Sequence, residues 1–177
     1  MDPLLKLEAG SDPAKVAAAL DTLDQLIASG APATKPALEL CLRLAQNPEL
    51  EAGVRARAIT FLGEETRRKP RAVMKQKLQG PMVETLFRVL AAQELGAGEE
   101  LDGEEEDGSS PALAASRSLD LLALHLPPAT LLPAVLGHAR PALASTSPAL
   151  QKAAYQALAV TTEGCADTIR SRAGNEI

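Results

Sequence analysis

The sequence predicts an all-α protein, built as a solenoid of stacked antiparallel helix pairs. Four prolines stand directly behind a residue that caps helices, at Asp12-Pro13, Asn47-Pro48, Ser110-Pro111 and Ser147-Pro148. Asp, Asn and Ser accept a hydrogen bond from a free N–H at a helix start, and Pro suits the first helical position. The first two prolines are 35 residues apart and the last two are 37 apart. The longer middle interval holds an acidic insertion of roughly twenty residues, which leaves an underlying period of about 40.

A period of this size, with two helical stretches in each unit and no strand signal, is typical of helical solenoids. Such proteins present surfaces to partners more often than they enclose catalytic pockets. The aromatic content of 2% is very low, so Leu and Ala must supply the packing.

Apolar residues at 3.6-residue spacing predict the helices of the first half. We expect a first helix over residues 13–28 and a second over residues 35–46. A third begins at Pro48 or shortly after and ends in the basic run that starts at Arg67. A short helical piece over residues 71–78 precedes an amphipathic helix that begins near Met82, and this pattern stops after Gln93. Residues 94–109 are rich in Gly and acid and show no periodicity, which predicts a disordered loop.

The second half returns to helical patterning at Pro111. That helix is apolar nearly all round, which is typical of packing by several neighbours, and Pro127-Pro128 ends it. In the following helix, Pro133 and Pro141 predict a kink or an early end. The last clear helix should run from residue 148 to about 161, with a final turn near residues 166–172.

Bulk composition narrows the class of protein. The net charge of −5 and the pI near 5.1 argue against nucleic acid or a membrane surface as the main partner, and favour a basic one. Cys41 and Cys165 lie far apart without metal-type spacing, which predicts buried thiols in a reducing compartment. The sequence shows neither a secretory leader nor a membrane-spanning apolar run, so we expect a soluble protein of the cytosol or nucleus.

The acidic segment is the strongest candidate binding site. Seven carboxylates lie within nine residues, and they are Glu99, Glu100, Asp102, Glu104, Glu105, Glu106 and Asp107. Their mutual repulsion favours an extended, solvated segment whose negative field attracts basic surfaces over a Debye length of about 8–10 Å. The alternative interpretation is a solubilising surface insertion without a partner.

Other candidates have simpler explanations. The basic run Arg67-Arg68-Lys69, with Arg71, Lys75 and Lys77, is a docking patch, an intramolecular partner for the acidic segment, or a solvated helix end. His125 and His138 stand alone, whereas a metal site needs three or four convergent ligands. The two Ser-Pro steps are possible phosphorylation sites, but helix capping already explains them.

We find no nucleophile elbow, phosphate-binding Gly loop or HExxH motif, so we expect no catalytic residues, no metal and no cofactor.

Several stretches carry a family resemblance. A Pro-opened helix with a Val54-Arg55 or Gln151-Lys152 step, alternating with a Leu-rich partner helix, resembles HEAT repeats. Residues 77–87, 122–128 and 151–160, with Glu163-Gly164-Cys165-Ala166-Asp167, resemble a segment of the importin-β (karyopherin) family of nuclear transport receptors. The resemblance covers most of residues 14–172. Family members are several times longer, so we expect a segment of a receptor or a truncated gene product.

The resemblance implies a single partial HEAT-repeat array over residues 1–177, with about 3.5 repeats and the acidic loop 94–109 inserted. It implies a binding function in nucleocytoplasmic transport, with shuttling between cytoplasm and nucleus through the nuclear pore. The implied partners are basic cargo such as histones and ribosomal proteins, the small GTPase Ran in its GTP form, and nucleoporins, without direct nucleic-acid binding or membrane insertion. In this family the acidic loop contacts Ran and cargo, which implies that role for the seven carboxylates. The alternative is a generic HEAT-repeat scaffold that does not bind Ran.

Overall fold

The structure, a computed structural model, describes residues 13–92 and 110–174. Every regular element in these two ranges is an α-helix. The helices are α1 (Pro13–Ser29), α2 (Lys35–Gln46), α3 (Ala52–Arg68), α4 (Pro70–Gln76), α5 (Gln79–Ala91), α6 (Pro111–His125), α7 (Pro128–Leu143) and α8 (Pro148–Gly174). The predicted all-α class is confirmed.

The helices form two layers. Helices α1, α3, α6 and α8 are successive neighbours in one layer, and α2, α5 and α7 are successive neighbours in the other. Across the layers, α2 packs on α3, α5 on α6 and α7 on α8, whereas the consecutive helices α6 and α7 barely touch. These antiparallel pairs, stacked in chain order, form a HEAT-repeat solenoid as predicted.

The periodic prolines all mark the same layer. Pro13, Pro111 and Pro148 are the first residues of α1, α6 and α8, and Pro48 lies in the turn before α3. Their near-regular spacing therefore follows the repeat of one layer. The pairing also shows that residues 93–109 join the two helices of one pair, α5 and α6.

Small side chains make the layers compact. Fully buried leucines such as Leu38, Leu86 and Leu122 alternate with buried alanines such as Ala58 and Ala115. Alanine allows helix axes to approach closely, while leucine fills the space between layers without a polar atom to satisfy. This packing matches the prediction that Leu and Ala replace aromatics in the core.

One expectation about a helix end is wrong, and one of the two alternatives expected for α7, a kink or an early end, is excluded. α8 does not stop near Thr161 but continues unbroken for 27 residues to Gly174. Thr161 is buried, and its hydroxyl donates to the Ala157 carbonyl at 2.7 Å, so it belongs to a packed helix turn. α7 continues through Pro133 and Pro141 as far as Leu143, so the expected early end does not occur.

The predicted caps hold in part. Ser110 accepts a hydrogen bond from the Leu113 N–H at 3.4 Å, as expected of the N-cap of α6. Asn47, in contrast, is the C-cap of α2, and its side chain accepts from the Glu49 N–H at 3.0 Å within the turn. α3 begins only at Ala52, after Glu51. Asp12 lies outside the described residues.

Within the described ranges, no helix combines the length and the apolar character that a bilayer crossing requires.

Candidate protein-interaction surface

The acidic segment, residues 94–109, lies outside the described residues, and with it all seven predicted binding carboxylates. The structure does place the two points where the chain leaves and re-enters the array, at Ala91 and Pro111. Both lie on the edge that also carries the α2–α3 turn and the α7–α8 turn, which we call the upper edge. Near this edge the Gln46 side chain, at the end of α2, donates to the hydroxyl of Thr85 in the middle of α5 at 2.6 Å.

A groove runs between α3 and α6, directly beside Ser110 at the upper edge. Its volume is about 400 Å³. The residues that line it are Thr60 and Glu64 from α3 and Ser110, Leu113, Ala114, Arg117, Ser118, Asp120 and Leu121 from α6. Leu113 is 44% exposed, which is unusual for a large apolar side chain in this protein. The described chain therefore re-enters the array at Ser110 beside a concave surface with an exposed apolar side chain.

The groove exists because α3 and α6 approach closely below it. The Ser118 hydroxyl is buried and donates to the Ile59 carbonyl at 3.0 Å. A Cβ on Gly63 would lie 2.7 Å from the Ser118 oxygen, so only glycine fits there without a shift of Ser118. Ser118 also lines the groove, so this close contact between α3 and α6 borders it.

The charges of the groove are mixed. Glu64 forms an ion pair with Arg67 at 2.6 Å, one turn further along α3. Arg117 and Asp120 form no ion pair with another described residue. With Leu113 and Leu121 beside them, these groups suit a peptide that carries both apolar and charged side chains.

The surface next to the groove, between α1 and α3, carries an ion-pair cluster. Arg57 donates to Asp21 at 2.6 Å and to Asp24 at 2.9 Å, joining the two helices. These hydrogen bonds raise the pKa of the Arg57 guanidinium. The two aspartates share one arginine, so the cluster is paired but keeps a net charge of −1.

The basic run lies at the other edge of the array, which we call the lower edge. Arg67 and Arg68 are the last residues of α3, which is 17 residues and so about 25 Å long. The start of α3 is at the upper edge. The described residues therefore do not bring the basic run next to either end of the acidic segment.

The single histidines and cysteines have structural surroundings. His138 stacks on Phe87, with ring centroids 5.6 Å apart, and His125 is exposed at the end of α6. Cys41 and Cys165 are buried and unpaired, as predicted. Burial raises the pKa of both thiols, and the charge of Asp24 raises that of Cys41 further, so both thiols are protonated at neutral pH.

Comparison with known proteins gives the family. The chain is 36% identical over 174 residues to Importin-4 of Homo sapiens and 33% identical to Importin-4 of Mus musculus, each match covering 91% of this chain. It is 31% identical over 153 residues, 85% of the chain, to Probable importin subunit beta-4 of Schizosaccharomyces pombe. The chain is an importin-β-family HEAT-repeat segment. It spans 16% of the two mammalian proteins and 13% of the S. pombe protein. No protein-family model matches the chain.

Sequence reasoning missed the groove of this importin-β-family segment. Leu113, Arg117, Asp120 and Leu121 recur at positions i, i+4, i+7 and i+8, which places them on one face of α6. Because α6 is apolar overall, its sequence predicts packing on several sides, and this pattern did not reveal the solvent-facing side of the helix. Two charged residues on an otherwise apolar helix were the signal that one side of α6 meets solvent.

Proposed function

We propose that this segment belongs to a nuclear import receptor and helps to bind basic cargo, such as histones and ribosomal proteins. The observation that carries the proposal is the similarity to three importins over most of the chain. It is supported by the seven predicted binding carboxylates within the sequence of residues 94–109 and by the α3/α6 groove beside Ser110, where the described chain resumes. The receptor shuttles between cytoplasm and nucleus and meets nucleoporins on the way. In this proposal, residues 1–177 form one partial array of about 3.5 repeats with residues 94–109 inserted.

The charge distribution supports an electrostatic mode of capture. Residues 93–109 contain eight acidic and no basic residues, so the remainder of the chain carries a net charge of +3 although the whole chain carries −5. The acidic character of the protein is thus concentrated in one segment. Such a field speeds the encounter with a basic tail and acts over about 8 Å at physiological salt.

The groove adds short-range contacts to this capture. A cargo peptide whose basic residues pair with Glu104, Glu105 and Glu106 can place a neighbouring apolar side chain against Leu113. Ran in its GTP form then competes for the overlapping surface and releases the cargo. The mechanism is binding, without a chemical step.

Fluorescence anisotropy with a labelled histone-tail peptide tests the cargo role. In low salt, Glu104→Gln with Glu105→Gln should weaken binding at least about fivefold, because two charge contacts are lost. The matched control is Glu49→Gln with Glu51→Gln, which removes two exposed carboxylates from the α2–α3 turn at the same edge. Equal affinities for the two double variants would refute the role of the acidic segment.

Competition with Ran tests the transport role separately. Ran bound to a non-hydrolysable GTP analogue should displace the peptide, whereas Ran-GDP should not. Peptide binding that is indifferent to both forms of Ran would favour the alternative, a generic HEAT-repeat scaffold for protein–protein interaction.

A further inference from the structure

A second charged surface lies on α4 and its two ends, at the lower edge. It consists of Lys69, Arg71, Lys75 and Lys77, which we call the α4 patch. Arg71, Lys75 and Lys77 are exposed and Lys69 is half-buried. None of the four forms an ion pair with a described residue. We propose that the α4 patch is a docking surface for an acidic, extended segment of a partner protein.

Helix electrostatics explain only part of this patch. Lys75 lies in the last turn of α4, where the helix dipole favours a cation. Lys69 is both the C-cap of α3 and the N-cap of α4, so the two helix dipoles act on it in opposite directions. Arg71, however, is the second residue of α4, where the dipole disfavours a cation. Its position is therefore not explained by the stability of α4.

Lys77 is also unexplained by local structure. It has φ 57°, and it is the single non-glycine residue with a positive φ in the described ranges. Glycine suits such a left-handed C-cap better because it has no Cβ to approach the following carbonyl oxygen, and asparagine offsets that contact by local hydrogen bonding. A lysine at this position provides charge at a conformational cost.

The patch is presented on a firmly held element. Val73 of α4 is fully buried, and the Gln76 side chain donates to the Ala33 carbonyl at 3.0 Å. The Ala33 N–H in turn donates to the buried Glu65 carboxylate at 2.8 Å. Both backbone groups of Ala33 are thus held by side chains, which fixes α4 against the start of α2 and orders the patch before any partner binds.

The nearby carboxylates are already engaged. Glu64 forms an ion pair with Arg67. The Glu65 carboxylate accepts from the Ala33 N–H, and its Oε2 lies 3.8 Å from Arg68 Nη1. Lys35, at the start of α2, pairs with Glu39 at 3.7 Å. The α4 patch therefore retains its full positive charge toward solvent, which is complementary to an acidic segment.

The surroundings favour an acidic protein segment over nucleic acid. Sites for single-stranded nucleic acid combine cations with exposed aromatic rings that stack on bases. Here Phe61 and Phe87 are buried, and Tyr155, although 65% exposed, lies on α8, the last helix of the array. The chain's own acidic segment starts at the far end of α5, a helix of 13 residues and about 20 Å. The proposed occupant is an acidic segment supplied by another protein, and binding by the chain's own acidic segment is one outcome of the test.

The test uses a fluorescein-labelled acidic peptide of alternating Glu and Gly, twelve residues long, with anisotropy measured at low salt. Arg71→Gln with Lys75→Gln and Lys77→Asn should weaken binding at least about tenfold, because three of the four cations are lost. Asn tolerates the left-handed conformation at position 77, so the fold is kept. The control is Arg43→Gln with Arg88→Gln and Arg140→Gln, which removes three exposed cations elsewhere and should change the affinity less than about twofold.

Three results would overturn the proposal. The first is equal affinity of the patch variant and the control for the peptide. The second is preference of the patch for an oligonucleotide of equal charge, which would assign it to nucleic acid. The third is peptide binding that occurs only after Glu104, Glu105 and Glu106 are changed to Gln, which would assign the patch to the chain's own acidic segment.

Discussion

At the scale of single residues, two glycines set how closely the helices of one layer approach. Gly63 of α3 lies against Ser118 of α6, and Gly164 of α8 lies against Ala123 of the same helix. A Cβ on Gly164 would come within 2.5 Å of the carbonyl carbon and oxygen of Ala123. These are backbone atoms that cannot move aside, so glycine is required for the crossing of α6 and α8.

Gly164→Ala should therefore lower the free energy of unfolding by about 1–3 kcal/mol, because the clash outweighs the better helix propensity of alanine. Gly137→Ala is the matched control, since Gly137 is also helical but a Cβ there meets nothing within 4 Å. The control should gain about 0.5–1 kcal/mol from propensity. Urea denaturation followed by circular dichroism measures both, and a shift in the same direction for the two variants would contradict this account.

At the scale of a helix, α7 shows how packing overrides a local breaker. Pro133 and Pro141 lack an N–H, so the carbonyls four residues earlier lose their helical partner. Both prolines are exposed, which leaves those carbonyls near water. On the opposite side of α7, Leu131 and Val135 are fully buried, and each contributes about 1.5–3 kcal/mol by burial. The buried face keeps the helix intact.

Replacement of Pro133 by Ala should raise the free energy of unfolding by about 1–2 kcal/mol. It restores a hydrogen bond within α7, although part of the gain is offset by the greater freedom of the unfolded chain. Pro128→Ala is the control, because the first residue of a helix needs no such bond, and its effect should stay within about 0.5 kcal/mol. Denaturation midpoints give both values, and a loss of stability for Pro133→Ala would show that the ring itself supports packing.

At the scale of the whole array, stability should follow the number of helical neighbours. α6 lies between α3 and α8 in its layer and also packs on α5 of the other layer. α1 packs chiefly on α3, and the ion pairs that Arg57 forms with it are partly exposed and add little. In a stacked array the stability of each helix depends on its interfaces with its neighbours.

Hydrogen exchange measured by mass spectrometry should therefore show faster exchange of backbone amides in α1 than in α6. The difference should exceed about tenfold, since α1 can open without disrupting the other helices. Peptides that cover residues 13–29 and 111–125 report the two helices. Equal protection of both would mean that the described helices open only as one cooperative unit.

Local signals in the sequence were sufficient for the fold class and for most helix bounds. The limits of α2, Lys35–Gln46, follow from apolar spacing and flanking turn residues, and the start of α6 follows from Ser110-Pro111. Such signals act within one or two helical turns, so helix starts and ends can be predicted from them without knowledge of distant contacts. The role of the acidic segment in binding stays a prediction, since its residues lie outside the described ranges.

Only the tertiary structure decided the pairing of the helices, the continuity of α7 and α8, and the α3/α6 groove. Each depends on residues far apart in the chain, such as Ser118 with Ile59 and Gly164 with Ala123. Whether a proline or a glycine ends a helix is a balance between a local penalty and the burial available on the other side. That burial exists only once the neighbouring helices are in place, so it cannot be predicted from the local sequence pattern.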